Sequence, residues 1–198
     1  MKATQINLQN ENAERILQVG VHLMAKKGYH ATTTREIVEA AGVTKPMLYY
    51  YFGSKEGLCK AGLRRFCDRF FVKLRDIIAE PLEPRNSLVE YIWTIFDFME
   101  QHHDESLLYM SLFFGQERQW FLEDVKAVHA AGAEVSGEFI SKLIEEGIIR
   151  RGCEEEFGRM LRGMVDVWRW ASISEGITLS RDVAEGMVDN MLNGFGVR

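Results

Sequence analysis

Apolar residues recur at three- and four-residue spacing along almost the whole chain, and that period predicts helices. The first, over 11–27, puts Ala13, Ile16, Leu17, Gly20, Leu23 and Met24 on one face and stops where Lys26 and Lys27 precede Gly28. Basic residues in a last turn followed by glycine are a helix stop. A second helix starts at Thr33, whose hydroxyl fits a capping box with the Glu36 carboxylate three residues on. Ile37, Val38, Ala40 and Ala41 form its apolar face, and Gly42 permits a sharp turn. Thr44 is expected to cap a short third helix. Pro46 falls in its first turn, where a missing amide hydrogen costs nothing. Leu48 and Phe52, four apart, point inward together. After a turn at Gly53, Ser54 caps a long fourth helix reaching about Ala79.

The segment Glu80-Pro81-Leu82-Glu83-Pro84 is the clearest break. Helical patterns follow over 86–101, 104–114, 118–147, 154–173 and 181–193. No segment alternates as a strand would, and no repeat or low-complexity tract occurs. The expectation is an all-α fold of about nine helices: a three-helix head carrying a helix-turn-helix over 1–60, and a helical body over 61–198. A helix-turn-helix presents the start of its second helix to the DNA major groove. Here that start carries Thr44, Lys45, Pro46, Tyr49 and Tyr50. Lys45 suits a guanine edge or a phosphate, and Pro46 a thymine methyl. The hydroxyls of Tyr49 and Tyr50 suit phosphate oxygens, which position a protein without choosing its sequence. Thr33, Thr34 and Arg35 open the preceding helix, where outward amides suit a phosphate, and Lys55 opens the next.

Charge sharpens this picture. The net charge is −5, yet residues 1–80 hold 13 Lys and Arg against 8 Asp and Glu, and residues 81–198 hold 11 against 21. The basic part is the part with the DNA-type motif. No apolar run reaches the roughly 20 residues that cross a bilayer. The polar start MKATQINLQNENAER lacks the apolar core of a signal peptide, so a cytoplasmic protein is expected. Three cysteines, Cys59, Cys67 and Cys153, read as reduced thiols. The adjacent His102 and His103 point about 100° apart on a helix and do not form a metal site with His129. No nucleophile–base pairing, phosphate loop or metal spacing occurs, so no catalytic residues, metal or cofactor are expected and the chain is not read as an enzyme.

Thr33, Ile37, Ala41-Gly42-Val43-Thr44, Leu48-Tyr49, Tyr51-Phe52 and Lys55 match a fixed-spacing signature. On these residues the chain resembles the tetracycline-repressor (TetR-type) family of bacterial transcription regulators, most closely over residues 12–60. The resemblance implies a homodimer binding a near-palindromic double-stranded operator, most naturally as a repressor. It also implies a body that takes a small effector and pairs with its copy through the last two long helices. The body is rich in aromatics, and Trp93, Phe96, Tyr109, Phe113, Trp120 and Trp168 are the candidates for an apolar or aromatic effector. Asp97, Glu100, Glu117 and Asp166 read as solvated carboxylates. Phe157, Met160, Leu161, Met164, Met187 and Met191 are the candidates for the dimer interface. A rival reading is a small-molecule-binding helical protein that acts through protein partners rather than DNA.

Overall fold

The computed structural model describes residues 10–195, with residues 116, 117, 194 and 195 described by backbone alone. Among the described residues the chain forms nine α-helices and one 3-10 helix. In order these are α1 (Glu11–Lys27), α2 (Thr34–Ala41), α3 (Lys45–Phe52), α4 (Lys55–Ala79), α5 (Pro84–Gln101), α6 (His103–Phe114), the 3-10 helix (Gln116–Trp120), α7 (Leu122–Glu145), α8 (Glu154–Glu175) and α9 (Arg181–Phe195). The expected all-α fold is present. Most boundaries fall within two residues of expectation, and the largest difference is at α7: the helix expected from residue 118 begins at Leu122, and Gln116–Trp120 are wound as the separate 3-10 turn.

Two compact units emerge. The first takes the described residues up to Asp68 together with His102–Ala127; the second takes Arg69–Gln101 and the described residues from Val128 on. In the first, α1 buries Ala13, Ile16, Leu17, Val21 and Met24 against neighbours that include Ile37, Leu48, Phe52 and Leu58. Two glycines make its crossing with α4 possible. A Cβ on Gly20 would collide with Leu58, and one on Gly62 would stand 2.6 Å from Val21 Cγ2. Each helix therefore receives a branched side chain of the other in a notch where a side chain is missing. Arg65 on α4 adds an ion pair to Glu14 on α1, 2.5 Å between Nη1 and Oε2. Cys59 and Cys67 are buried in this unit, and burial pushes both thiols up to about 12, so they stay protonated.

The second unit has its own core. Tyr91 and Phe139 stack face to face, with centroids 4.2 Å apart. α8 buries Phe157, Leu161 and Val165, and α9 buries Ala184, Met187, Val188 and Met191. Pro84 opens α5 at a position that needs no amide hydrogen. Lys142 donates to the carbonyls of Ile78 and Glu80 at the end of α4, placing a cation where carbonyls are left unpaired.

Candidate nucleic-acid interface

The turn between α2 and α3 sets the geometry. Gly42 adopts a left-handed conformation, φ 61° and ψ 38°, which a glycine takes without steric cost. Its amide donates to the carbonyls of Val38 and Glu39, and the Val43 amide donates to Val38 O at 3.0 Å. That closure ends α2 and redirects the chain into α3. Leu48 and Phe52 then anchor α3 inward.

Anchoring through those two residues leaves the opposite face outward. Thr44, Lys45 and Pro46 are exposed, and so are Tyr49 and Tyr50, the latter 83%. Lys45 Nζ lies 5.8 Å from the Tyr49 ring centroid, a cation poised over a phenol on the same face. Tyr51 is half-buried and meets Tyr50 edge-on. Thr44 occupies the cap position of α3, but its hydroxyl makes no capping bond, contrary to expectation. The reason is local: Pro46 has no amide, and the Met47 amide is already taken by the Thr44 carbonyl at 3.0 Å. The hydroxyl is left for an outside acceptor.

At the start of α2 the expected capping box is present. The Glu36 amide donates to Thr33 Oγ1, while Glu36 Oε2 accepts from the Thr33 amide and hydroxyl. Lys27 Nζ lies 2.5 Å from Glu36 Oε1. The Lys27 hydrogen bond and then the two from Thr33 hold the Glu36 carboxyl down at about 2. A carboxylate depressed in this way contributes stability that is present above the ordinary carboxylate range and lost as pH falls toward the folded value. Thermal unfolding of the natural chain and of Glu36→Gln should therefore differ by a constant gap above about pH 5 that closes as the pH drops toward about 2. A gap that does not change with pH would show that the charge of Glu36 is irrelevant to the cap.

The other candidates divide. Thr33 is exposed and held in the box, and Thr34 is half-buried beside it. Arg35 pairs with Glu39 at 2.7 Å, an exposed ion pair that a phosphate can displace at little cost. Lys55 departs from expectation, because its ammonium turns toward its own chain. It donates to the carbonyls of Tyr29 and Thr32, both at 2.7 Å, and lies 4.2 Å from the Tyr29 ring centroid. Thr32, fully buried, donates its hydroxyl to Leu23 O and Gly28 O, so the loop from α1 to α2 is fastened from both sides.

The six aromatic effector candidates fall into separate settings. Trp93, Phe96 and Trp168 belong to the second unit, with Phe96 buried and the two tryptophans half-buried. Tyr109 and Phe113 stack at 4.0 Å within the first. Trp120 ends the 3-10 helix, is 62% exposed and meets His30 edge-on, so it is not an interior lining residue. An open groove of about 640 Å³ between α7 and α8 is lined by residues that include Ala133, Gly137, Ile140, Gly158, Arg162 and Asp166, and by none of those six aromatics. Asp166 is not solvated as expected: burial pushes its carboxyl up, and it accepts from Arg169 Nη1 at 3.2 Å. Asp97 accepts from Gln101 and Glu100 is exposed, while the Glu117 side chain lies outside the described residues.

Of the dimer candidates, Phe157, Leu161, Met187 and Met191 are buried within the chain itself, and Met160 and Met164 are half-buried. The outward apolar face of α8 is instead Val167, Trp170 and Ile173, exposed by 68%, 57% and 40%. Periodicity located the helix but favoured the stripe that fills the chain's own core. The exposed triplet, offset from that stripe around the helix, was the signal available.

Residues 16–61 match the bacterial regulatory proteins of the tetR family. Over 94 residues the chain is 35% identical to the HTH-type transcriptional repressor KstR2 of Rhodococcus jostii (strain RHA1), covering 48% of this chain and 46% of that protein. Over 80 residues it is 36% identical to the repressor ComR of Escherichia coli (strain K12), covering 40% and 38%. These matches thus span half or less of each relative's length. The fold extends further. The solved structure of the ketosteroid transcriptional regulator KstR2 of Mycobacterium tuberculosis superposes with a TM-score of 0.72 at 24% identity, covering 96% of this chain and 97% of that one. The regulator FadR from Bacillus subtilis, solved in complex with stearoyl-CoA, gives 0.77 at 19% identity, covering 92% and 98%. At such identities the likeness shows the fold alone. The head is thus similar in sequence to the tetR family of bacterial regulatory proteins over residues 16–61, and the helices as a whole are similar in fold to solved regulators.

Proposed function

We propose that the chain is a ligand-responsive transcriptional regulator, most naturally a repressor, that binds a near-palindromic operator as a homodimer. The observation that carries this reading is the outward face of α3. Leu48 and Phe52 fix the helix from beneath, leaving Lys45, Pro46, Tyr49 and Tyr50 exposed at the end a helix-turn-helix presents to DNA. The basic excess of residues 1–80 supplies the phosphate attraction. The operator search is direct: the wild-type chain selects duplexes from a randomised pool, and its affinity for the enriched sequence is followed against salt. Lys45→Ala should weaken that affinity by about 1–3 kcal/mol if Lys45 reads a base. Tyr49→Phe should weaken all duplexes about equally. Unchanged binding and an unchanged salt slope in Lys45→Ala would remove that residue from the interface.

A second copy is supported by the triplet Val167, Trp170 and Ile173 on α8, which the described residues leave exposed. Two heads would then read successive grooves one duplex turn apart. An apolar effector is supported by the aromatic content of the body and by the ligands in the names of the fold's neighbours, a ketosteroid regulator and a regulator holding stearoyl-CoA. Effector and operator affinities would be coupled reciprocally through the two states of the dimer.

A further inference from the structure

The connection from α6 to α7 reaches the loop before α2 through a cluster of aromatic rings. Phe121, buried, meets Tyr29 edge-on, with centroids 5.0 Å apart and planes at 90°. Its neighbour Trp120 meets His30 edge-on at 5.5 Å, and Tyr29 meets His30 at 5.2 Å. Lys55 completes the arrangement from α4, with its ammonium near the Tyr29 ring and bonded to the Tyr29 and Thr32 carbonyls. None of these groups lies on α3, and the loop they hold ends at Thr33, the cap of α2.

We propose that Trp120 and Phe121 are positioning residues for DNA binding: they set the path of the Tyr29–His30 loop, and through it the start of α2, without touching the duplex. The inference rests on the reading that α3 enters a groove. Its physical basis is an asymmetry in what the two residues do. Phe121 fills core space, so its removal disturbs the fold. Trp120 is mostly exposed and adds little to core stability, so its edge contact with His30 is separable from folding. Trp120 ends a short 3-10 turn and Phe121 follows it, and the poorer hydrogen bonds of that turn make it the easiest part of the connection to rewind. A change in how α6 ends at Gly115 therefore moves these rings, and the rings move the loop.

The test uses the full chain with Trp120→Ala, His30→Ala and the double variant. In the free protein, Trp120→Ala should speed amide exchange at residues 29–35 while leaving the unfolding midpoint unchanged. On the duplex enriched by the wild type, the variant should bind about 2- to 10-fold more weakly, the range one edge-to-face pair supports. The salt slope should not change, since no phosphate contact is lost. The double variant should lose less than the sum of the two single losses, because both remove the Trp120–His30 contact while only His30→Ala removes the Tyr29–His30 one. Unaltered exchange in the free protein overturns the positioning role whatever the DNA result. Weaker binding with a shallower salt slope also overturns it, by bringing Trp120 to the backbone of the DNA. If the wild type enriches no duplex, the DNA reading itself falls, and exchange still decides the loop.

Discussion

Gly57→Ala is expected to cost the head at least about 3 kcal/mol, beyond ordinary overpacking. A Cβ at this position would collide with the carbonyl oxygen of Phe52 and stand 3.2 Å from its carbon. Those are backbone atoms at the end of α3, so no side chain can rotate out of the way. The Gly57 amide is also tied to Ser54 Oγ at 2.9 Å, which fixes the first turn of α4 against the turn it follows. Either α3 or the start of α4 has to shift, and the exposed face of α3 shifts with it. For a cooperative unit of about this size the midpoint should fall by roughly 10–20 °C. Operator binding should fall with it even below the midpoint. Gly186→Ala is the matching control. It lies inside α9 with nothing near its would-be Cβ, so alanine should stabilise by about 0.5–1 kcal/mol. Circular dichroism melts of the two variants decide the matter. A Gly57→Ala midpoint within a degree or two of the natural chain would show that the turn is looser than drawn.

Lys55→Met should destabilise by about 2–3 kcal/mol, since hydrogen bonds to a charged donor contribute more than neutral ones. The ammonium joins two carbonyls of the loop before α2 and faces the Tyr29 ring. Burial pushes its pKa down, while the carbonyls and the ring face favour the charged form. A methionine of similar length keeps the packing and removes the donors. The expected result is a lower unfolding midpoint together with an unchanged salt dependence of DNA binding. The opposite pair of results, an unchanged midpoint and a salt slope reduced by about one, would return Lys55 to the phosphate backbone.

These two cases mark where sequence reading succeeds and where it stops. Helix ends written in local chemistry were legible: the Thr33–Glu36 box and the Gly28 and Gly42 stops all lie within a few residues of what they control. The outward set on α3 was legible too, because Leu48 and Phe52 fix which face is inside. The direction of Lys55 was not, since its acceptors lie 23 and 26 residues earlier and two other elements intervene. Nor was the setting of Trp120, because a 3-10 turn carries no apolar period of its own. The buried stripe of α8 and its exposed triplet share the helical repeat, and only packing tells them apart.

The interlocked notches of α1 and α4 carry a consequence for descent. Gly20 accommodates Leu58, and Gly62 accommodates Val21, so a methyl group gained by either helix displaces the facing side chain of the other. A single gain of a methyl group at Gly20 or Gly62 drives a wedge between α1 and α4 that the facing side chain must turn aside to admit, so these four positions are expected to change in compensating couples.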